Sequence, residues 1–423
     1  MNTLFTHLLG LTATVALGHI AQGQPEPLSL AECHHLAEKN YPLAKQRDLI
    51  AQSARFSVEK AHTSYFPQLN ITGQATYQSA VTEIPIQVPG MAMPALSKDQ
   101  YKLYGEVNQT LYDGGITRLQ KAAATAGAEM EKRALEVELY GVKQRVNQLF
   151  FGILLLDAQL VQNRLFQQDI VAGLEKTQAA IANGSSLISS ASLLEAELLK
   201  TQQQESELQA SRKAYMGMLG LFINRPLDEH TVLQRPAVVR PSLKVNRPEI
   251  QWYTSQLRVV DVEDQLLTAK NLPKLSLFLQ GGIGRPALNM LSNDLEAYYY
   301  GGVQITIPIS GFYTIQKDRA LLDIRRRAID LKQETFLFNT DLSLRQQRIA
   351  LDKYEELLAT DDRIIALRTS VKAAALAQLE NGVINAADYL REVHAEDLAK
   401  VTKILHEVQR LLIQYDIQQL SGK

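Results

Sequence analysis

The sequence predicts an α+β membrane protein. Each chain gives four transmembrane β-strands to a trimeric, twelve-stranded barrel and extends that barrel as a tube of long coiled-coil α-helices. Three observations predict this. Four segments alternate apolar and polar residues with a period of two, and two much longer segments repeat apolar residues with a period of seven. The same landmarks also recur about 200 residues apart, the mark of an internal duplication.

The strands come first. Leu69, Ile71, Gly73, Ala75, Tyr77, Ser79 and Val81 alternate with Asn70, Thr72, Gln74, Thr76 and Gln78. Tyr101, Leu103, Gly105, Val107 and Leu111 alternate with Lys102, Tyr104, Glu106, Asn108 and Thr110. In the second half Leu275, Leu277, Leu279 and Ile283 face one way. Tyr299, Gly301, Val303, Ile305, Ile307 and Ile309 do the same, with Tyr298, Gln304 and Thr306 opposite. One apolar and one wet face over roughly ten residues fits a strand in lipid. Tyr77, Tyr101, Tyr104, Tyr298, Tyr299 and Tyr300 gather at the outer ends and are read as an interfacial aromatic girdle against outer-membrane lipid. A half-buried soluble sheet shows the same alternation. The segments between the strands, 84–98 and 284–296, are rich in Pro, Met, Gly and Asn and read as exposed loops.

The helices follow. Leu135, Leu139, Val142, Val146, Leu149, Ile153, Leu156 and Leu160 step by four and three, and the seam resumes at Ile170, Leu174, Thr177 and Ile181 after Asn163 and Gln167. A seven-residue period packs helices side by side rather than around a globular core. No proline interrupts 114–184, which as continuous helix runs about 100 Å. The second long helix is expected over 312–380, with Arg345 and Asp352 on its seam, and the return helices over 187–223 and 388–420. Asn183-Gly184 and Asn381-Gly382 fit helix ends, with glycine as the left-handed residue, so each pair marks the tip of a helical hairpin.

The resulting organisation is a first repeat over 24–223 with its strand hairpin at 67–113 and tip at 183–187. A proline-bearing linker follows over 224–247. The second repeat covers 248–423, with its hairpin at 273–310 and tip at 381–387. Four strands cannot close around a lumen, so the chain must oligomerise, and three copies give an open pore.

At the N-terminus the apolar run 8–20 is too short to span a bilayer and ends at Ala21-Gln22-Gly23, so residues 1–23 read as a signal peptide. No other segment reads as a transmembrane helix. The balance of 44 Lys+Arg against 45 Asp+Glu gives no reason to expect a nucleic-acid partner. The single cysteine, Cys33, excludes an intrachain disulfide, and Leu30-Ala31-Glu32-Cys33 is a poor lipidation box because Glu32 stands where a small residue is needed. Cys33, His34 and His35 point about 100° apart on a helix and do not share one ion easily. Gly281-Gly282-Ile283-Gly284 lacks a lysine and lies in a strand, and the acid pairs Glu355-Glu356 and Asp361-Asp362 read as solvated helix faces. No nucleophile–base pair, metal set or cofactor motif emerges, so the chain is not read as an enzyme.

The chain resembles the TolC-like outer-membrane factor family over nearly its whole length after residue 23. Carrying the resemblance are Leu28-Ser29-Leu30-Ala31-Glu32 and Pro67-Gln68-Leu69. With them go Gln109-Thr110-Leu111-Tyr112-Asp113-Gly114-Gly115, its counterpart Gln304-Ile305-Thr306-Ile307-Pro308-Ile309-Ser310-Gly311, and the stretch from Gly382 through Asp388 and Leu390. The resemblance implies a homotrimeric channel-tunnel in the cell outer membrane, with its helical barrel in the periplasm. It would be the exit duct of a tripartite efflux or type I secretion system, docking on a periplasmic adaptor and an inner-membrane pump. A periplasmic coiled-coil adaptor or structural protein is the alternative, and the four alternating strands count against it. The resemblance further implies docking at the tips, here Asn183, Gly184, Ser185, Asn381, Gly382 and Val383, and a mouth closed by a ring of acids. Asp388 matches one ring acid. Arg391 stands where the next is expected, followed by Glu392, and Ser192 replaces an Asp in the first half. Asp388 and Arg391, three residues apart, are placed to pair within one chain. Equally, Asp388 at a helix start serves as an ordinary cap.

Overall fold

The structure, a computed structural model, describes residues 27–82, 96–239 and 244–422. The signal-peptide segment 1–23 and most of the 84–98 loop lie outside the described residues. The elements are α1 (Leu30–Asn40), α2 (Gln46–His62), β1 (Gln68–Tyr77), β2 (Asp99–Tyr112), α3 (Ile116–Ala182), α4 (Ile188–Ile223), α5 (Pro248–Lys270), β3 (Lys274–Arg285), β4 (Glu296–Thr306), α6 (Gly311–Glu380) and α7 (Ala386–Ser421). Each half therefore runs helix, strand pair, long helix, return helix. The opening helix of the first half is broken in two at Pro42, which has no N–H to continue α1 and starts a short 3-10 turn. Ser29 caps α1 by accepting a hydrogen bond from the Glu32 N–H at 3.2 Å.

The heptad seam of α3 is buried over most of its length, with Leu174 and Ile181 near the tip half-buried. Leu135, Leu139, Val142, Val146, Leu149, Ile153, Leu156 and Leu160 are all inside, as are Asn163, Ile170 and Thr177. At mid-height the seam meets Cys33, Met216, Leu219 and Leu411 from α1, α4 and α7. Burial pushes the Cys33 thiol up to about 12, so it stays protonated and unreactive. Maleimide is expected to label the protein only after denaturation, and labelling of the native protein would refute this packing. One stretch of α3 is apolar and long enough to cross a membrane by composition, against the expectation that no such helix follows residue 23. Half of that stretch is buried inside the chain, as a shared seam requires. The linker pairs back on the N-terminus: Leu28 N–H donates to the Val232 carbonyl and Gln234 N–H to the Leu28 carbonyl, both at 2.9 Å.

All four strands join one antiparallel sheet in the order β1-β2-β3-β4, so the two halves meet at β2 and β3 while β1 and β4 keep open edges. Register fixes the faces. Leu69, Val107, Leu279 and Gly301 lie in one row, and Gly73, Leu103, Ile283 and Ala297 belong to the same face. On that face Leu69, Ile71, Leu103, Leu279, Val303 and Ile305 are exposed, which in water would be a large uncovered apolar surface. The alternation stops earlier than the sequence suggested: β1 ends at Tyr77 and β4 at Thr306, two residues before Pro308, which has no N–H to offer a ladder.

At both strand-to-helix junctions a glycine meets the segment that leads into β3. Gly114 has φ +74°, and a Cβ there would sit 2.9 Å from the Ala269 carbonyl oxygen and from Leu272 Cβ. A Cβ on Gly311 would overlap the Asn271 side chain. Asp113 then caps α3, accepting from the Gly115 and Thr117 N–H groups at 2.8 and 2.7 Å. Gly114→Ala is expected to cost about 2 kcal/mol or more, from the left-handed conformation plus the backbone clash. Thermal unfolding followed by circular dichroism measures it. An unchanged midpoint would contradict the junction described.

Candidate functional site at the helical tips

Both helical hairpins turn in the same way. After α3, Gly184 (φ +69°) donates to the Ile181 carbonyl at 2.9 Å and Ser185 to the Ala180 carbonyl at 2.8 Å. After α6, Gly382 (φ +68°) donates to Leu379 at 3.1 Å and Val383 to Gln378 at 2.8 Å. This is the Schellman arrangement, which satisfies the last carbonyls and needs a left-handed residue at the glycine. Asn183, Gly184, Ser185, Asn381, Gly382 and Val383 are all exposed. Leu187, the last residue of the expected tip, and Ile188, which the sequence did not single out, project beside them and are also exposed. Lys176 and Glu380, 2.9 Å apart, tie the ends of α3 and α6 together.

Asn385 caps α7 through its side-chain oxygen, which accepts from the Asp388 N–H at 3.0 Å. The cap is therefore Asn385, and Asp388 occupies the first turn, where its charge offsets the helix dipole. The Asp388 carboxylate lies 3.3 Å from the Arg391 guanidinium. Arg391 also approaches Glu392 at 3.4 Å, and Glu392 reaches Arg368 of α6 at 3.5 Å. Two acids and two arginines thus balance at this end of each chain. Ser192 donates to the Ile188 carbonyl at 3.4 Å and brings no charge.

Just above the tips, Tyr389 turns inward and is only 1% exposed. A Cβ on Gly173 of α3 would sit 2.4 Å from Tyr389 Cε1, so only glycine leaves room for the ring. The Tyr389 hydroxyl donates to the Asp169 carbonyl at 3.0 Å, and burial pushes the phenol up to about 12. Beside it Lys372 of α6 bridges Asp169 of α3 at 2.8 Å and Glu396 of α7 at 2.7 Å. Glu396 is 1% exposed and also accepts from Thr369 at 2.6 Å and from Lys400 at 3.0 Å.

No protein-family profile and no curated protein matches the chain. Solved structures do. CusC, crystallised in work on folding and transmembrane channel formation, superposes with TM-score 0.70 at 15% identity, covering 93% of this chain and 92% of its own. The outer membrane channel CmeC of Campylobacter jejuni gives 0.64 at 15%, covering 100% of this chain and 94% of its own. The open state of the outer membrane channel MtrE of Neisseria gonorrhoeae gives 0.64 at 15%, covering 93% and 89%. The chain has the fold of an outer-membrane channel.

In this channel fold Lys372 joins Asp169 of α3 to the buried Glu396 of α7 and ties three helices at one level. Burial works against both Lys372 and Glu396, yet the bonds of Lys372 to Asp169 and Glu396, and those of Glu396 to Lys372, Thr369 and Lys400, outweigh it, holding Lys372 above its ordinary value and Glu396 below its own. Glu396 therefore stabilises the folded state fully above its ordinary 4.5, and this is lost as pH falls through its lower folded value. Lys372 stabilises fully below 10.5, and this is lost as pH rises through its higher folded value. Protection factors against hydrogen exchange in α6 and α7 near the tips, corrected for the intrinsic rate at each pH, are expected to hold from about pH 5 to 9 and to fall below about pH 4. Equal protection at acid pH would remove this role. His406 Nδ1 lies 2.6 Å from Asp361, which is buried. The reading of Asp361 as a solvated acid is thus corrected, because α7 brings a histidine over it. Its neighbour Asp362 reaches Lys403 from outside.

The strand register also divides the six tyrosines. Tyr77, Tyr101 and Tyr299 share the exposed apolar face, whereas Tyr104, Tyr298 and Tyr300 point to the other, with Lys102, Glu106 and Gln280. The single girdle is therefore corrected for the latter three, because a period of two sends neighbours to opposite faces.

Proposed function

We propose that the chain is the exit duct of a tripartite efflux or type I secretion system, a homotrimeric channel-tunnel in the outer membrane with its helices in the periplasm. One observation carries the reading. A four-stranded sheet with a continuous exposed apolar face and two open edges sits at one end of helices about 100 Å long. Lipid covers the face, and neighbouring copies cover the edges. Three copies supply twelve strands, which sets the duct between the smallest barrels, filled by side chains at about eight strands, and the porins at about sixteen. The repeats 24–223 and 248–423 then stand side by side in the tube, with 224–247 joining them. Tyr77, Tyr101 and Tyr299 form the outer interfacial belt. The tips, with Leu187, Ile188 and Val383 exposed beside their glycines, receive the adaptor and through it the inner-membrane pump. A soluble coiled-coil adaptor has no use for the apolar sheet face. Cell fractionation decides: the duct stays in the membrane until detergent is added, and a chain soluble without detergent would sink the reading.

At the mouth, Asp388, Arg391 and Glu392 act as a balanced charge cluster rather than an acidic ring. Arg391→Ala is expected to move the reversal potential of single channels towards cation selectivity, and Asp388→Ala towards anion selectivity. Divalent cations should block the first variant more strongly than the wild type. If neither variant alters selectivity or block, Asp388 only offsets the helix dipole.

A further inference from the structure

We infer that Phe278, Tyr298 and Tyr300 form a rigid aromatic shelf on the inner wall of the barrel, which narrows the exit and binds organic cations in transit. The inference rests on the channel reading, which turns the polar sheet face to the lumen because the opposite face carries the exposed apolar residues. On that inner face Tyr104, Gly282 and Tyr298 share a row, Glu106, Gln280 and Tyr300 the next, and Asn108, Phe278 and Gly302 the third. The Tyr298 and Tyr300 rings stack at 6.4 Å between centroids and 17° between planes. Phe278 meets Tyr300 edge-on at 5.9 Å and 75°.

Gln280 lies beneath and locks the rings. It donates to the Tyr298 hydroxyl at 3.3 Å and accepts from the Tyr300 hydroxyl. Although it stands on an open sheet face, it is only 8% exposed, because the aromatics cover it. Glycines clear the floor. A Cβ on Gly282 would come 2.6 Å from Tyr104 Cβ, and one on Gly302 3.3 Å from Phe278 Cε1. A lumen wall filled with water has no need of stacked rings tied by a buried amide. Their faces offer quadrupole attraction to a poorly hydrated cation. Glu106 in the Gln280 row adds negative charge beside them, while Lys102 and Glu296 share the row beyond and offset each other. Three copies place three shelves at one height.

The test uses the full-length assembled protein in planar bilayers with benzyltrimethylammonium as probe. Wild-type current is expected to fall as the probe is added. The Tyr298→Ala/Tyr300→Ala pair should raise unitary conductance and increase the half-blocking concentration about tenfold. Tyr298→Phe/Tyr300→Phe keeps the ring faces but loses both bonds to Gln280, so the block should weaken, though by less than in the alanine pair. Tyr299→Ala, on the lipid face, should leave it unchanged. Equal conductance and block in wild type and the double alanine variant would overturn the shelf, as would an equal effect of Tyr299→Ala. A protein that assembles but conducts nothing, with every variant alike, defeats the channel reading itself.

Discussion

Replacing Tyr389 by alanine is expected to cost about 3–5 kcal/mol locally and to release the tip end of α7 from α3, the range seen when a buried aromatic leaves a cavity. The ring is packed among Phe166, Ile170 and Leu194, from two other helices. The Gly173 notch fixes its position, so a collapsed neighbour cannot easily refill the space. Tyr389→Phe keeps the ring and loses only the bond to the Asp169 carbonyl, for about 1 kcal/mol. Gly173→Ala attacks the same contact from the other side. It gains helix propensity of about 1 kcal/mol but forces the ring outward, and the clash should win. Helices this long open piecewise, so the measurement is hydrogen exchange of peptides covering α3 and α7 near the tips rather than a global melting curve. Exchange unaltered in Tyr389→Ala would show that the α3–α7 contact does not hold the tips. Under the channel reading the same variant raises open probability, since the contact ties the mouth's helices together.

Much of this was legible in the sequence, and the exceptions have a common cause. The α3 seam, the Asn-Gly tips and the strand faces are local patterns, set by one period each; the seam and tips landed within a residue or two, whereas β1 and β4 stop short of Val81 and Ile309. The tyrosines crowd together along the chain, but the parity of Tyr298, Tyr299 and Tyr300 sends them to opposite faces, so proximity in sequence is no guide to a shared girdle. The Lys372–Glu396 junction gave no local signal. Its members come from α3, α6 and α7, and charged residues on a polar seam look like solvated ones until the partner helix is placed. Asp361 failed for the same reason. Nor does alternation tell which strand joins the halves. That β2 meets β3 leaves β1 and β4 as edges.

Placing glutamate at both Leu331 and Phe338 should abolish the oligomer. On α6, Leu321, Ile324, Leu331, Phe338, Leu342 and Ile349 follow heptad-like steps, and all are well exposed in the single chain, Ile349 at 71%. A heptad stripe left mostly exposed by its own chain has the pattern of half a coiled coil. Burial of each such side chain stabilises association by about 1.5–3 kcal/mol, and a carboxylate there loses this and adds desolvation. The seam also has a direction. α6 follows β4, so one flank of the chain offers an open edge and the stripe together. The other flank offers the β1 edge preceded by α2, where Leu49 and Phe56, seven residues apart, are exposed. Under the proposed trimer, one copy's β4–α6 flank would meet the next copy's β1–α2 flank, a head-to-tail contact that repeats until the ring closes. Leu49→Glu/Phe56→Glu should accordingly fail to close as well. Mixing the two variant proteins leaves one sound contact per pair, so mass measurement in detergent should find mixed dimers and no trimers. A like-to-like contact through α6 predicts instead that the Leu49→Glu/Phe56→Glu chains pair among themselves, which would reverse the assignment of the flanks.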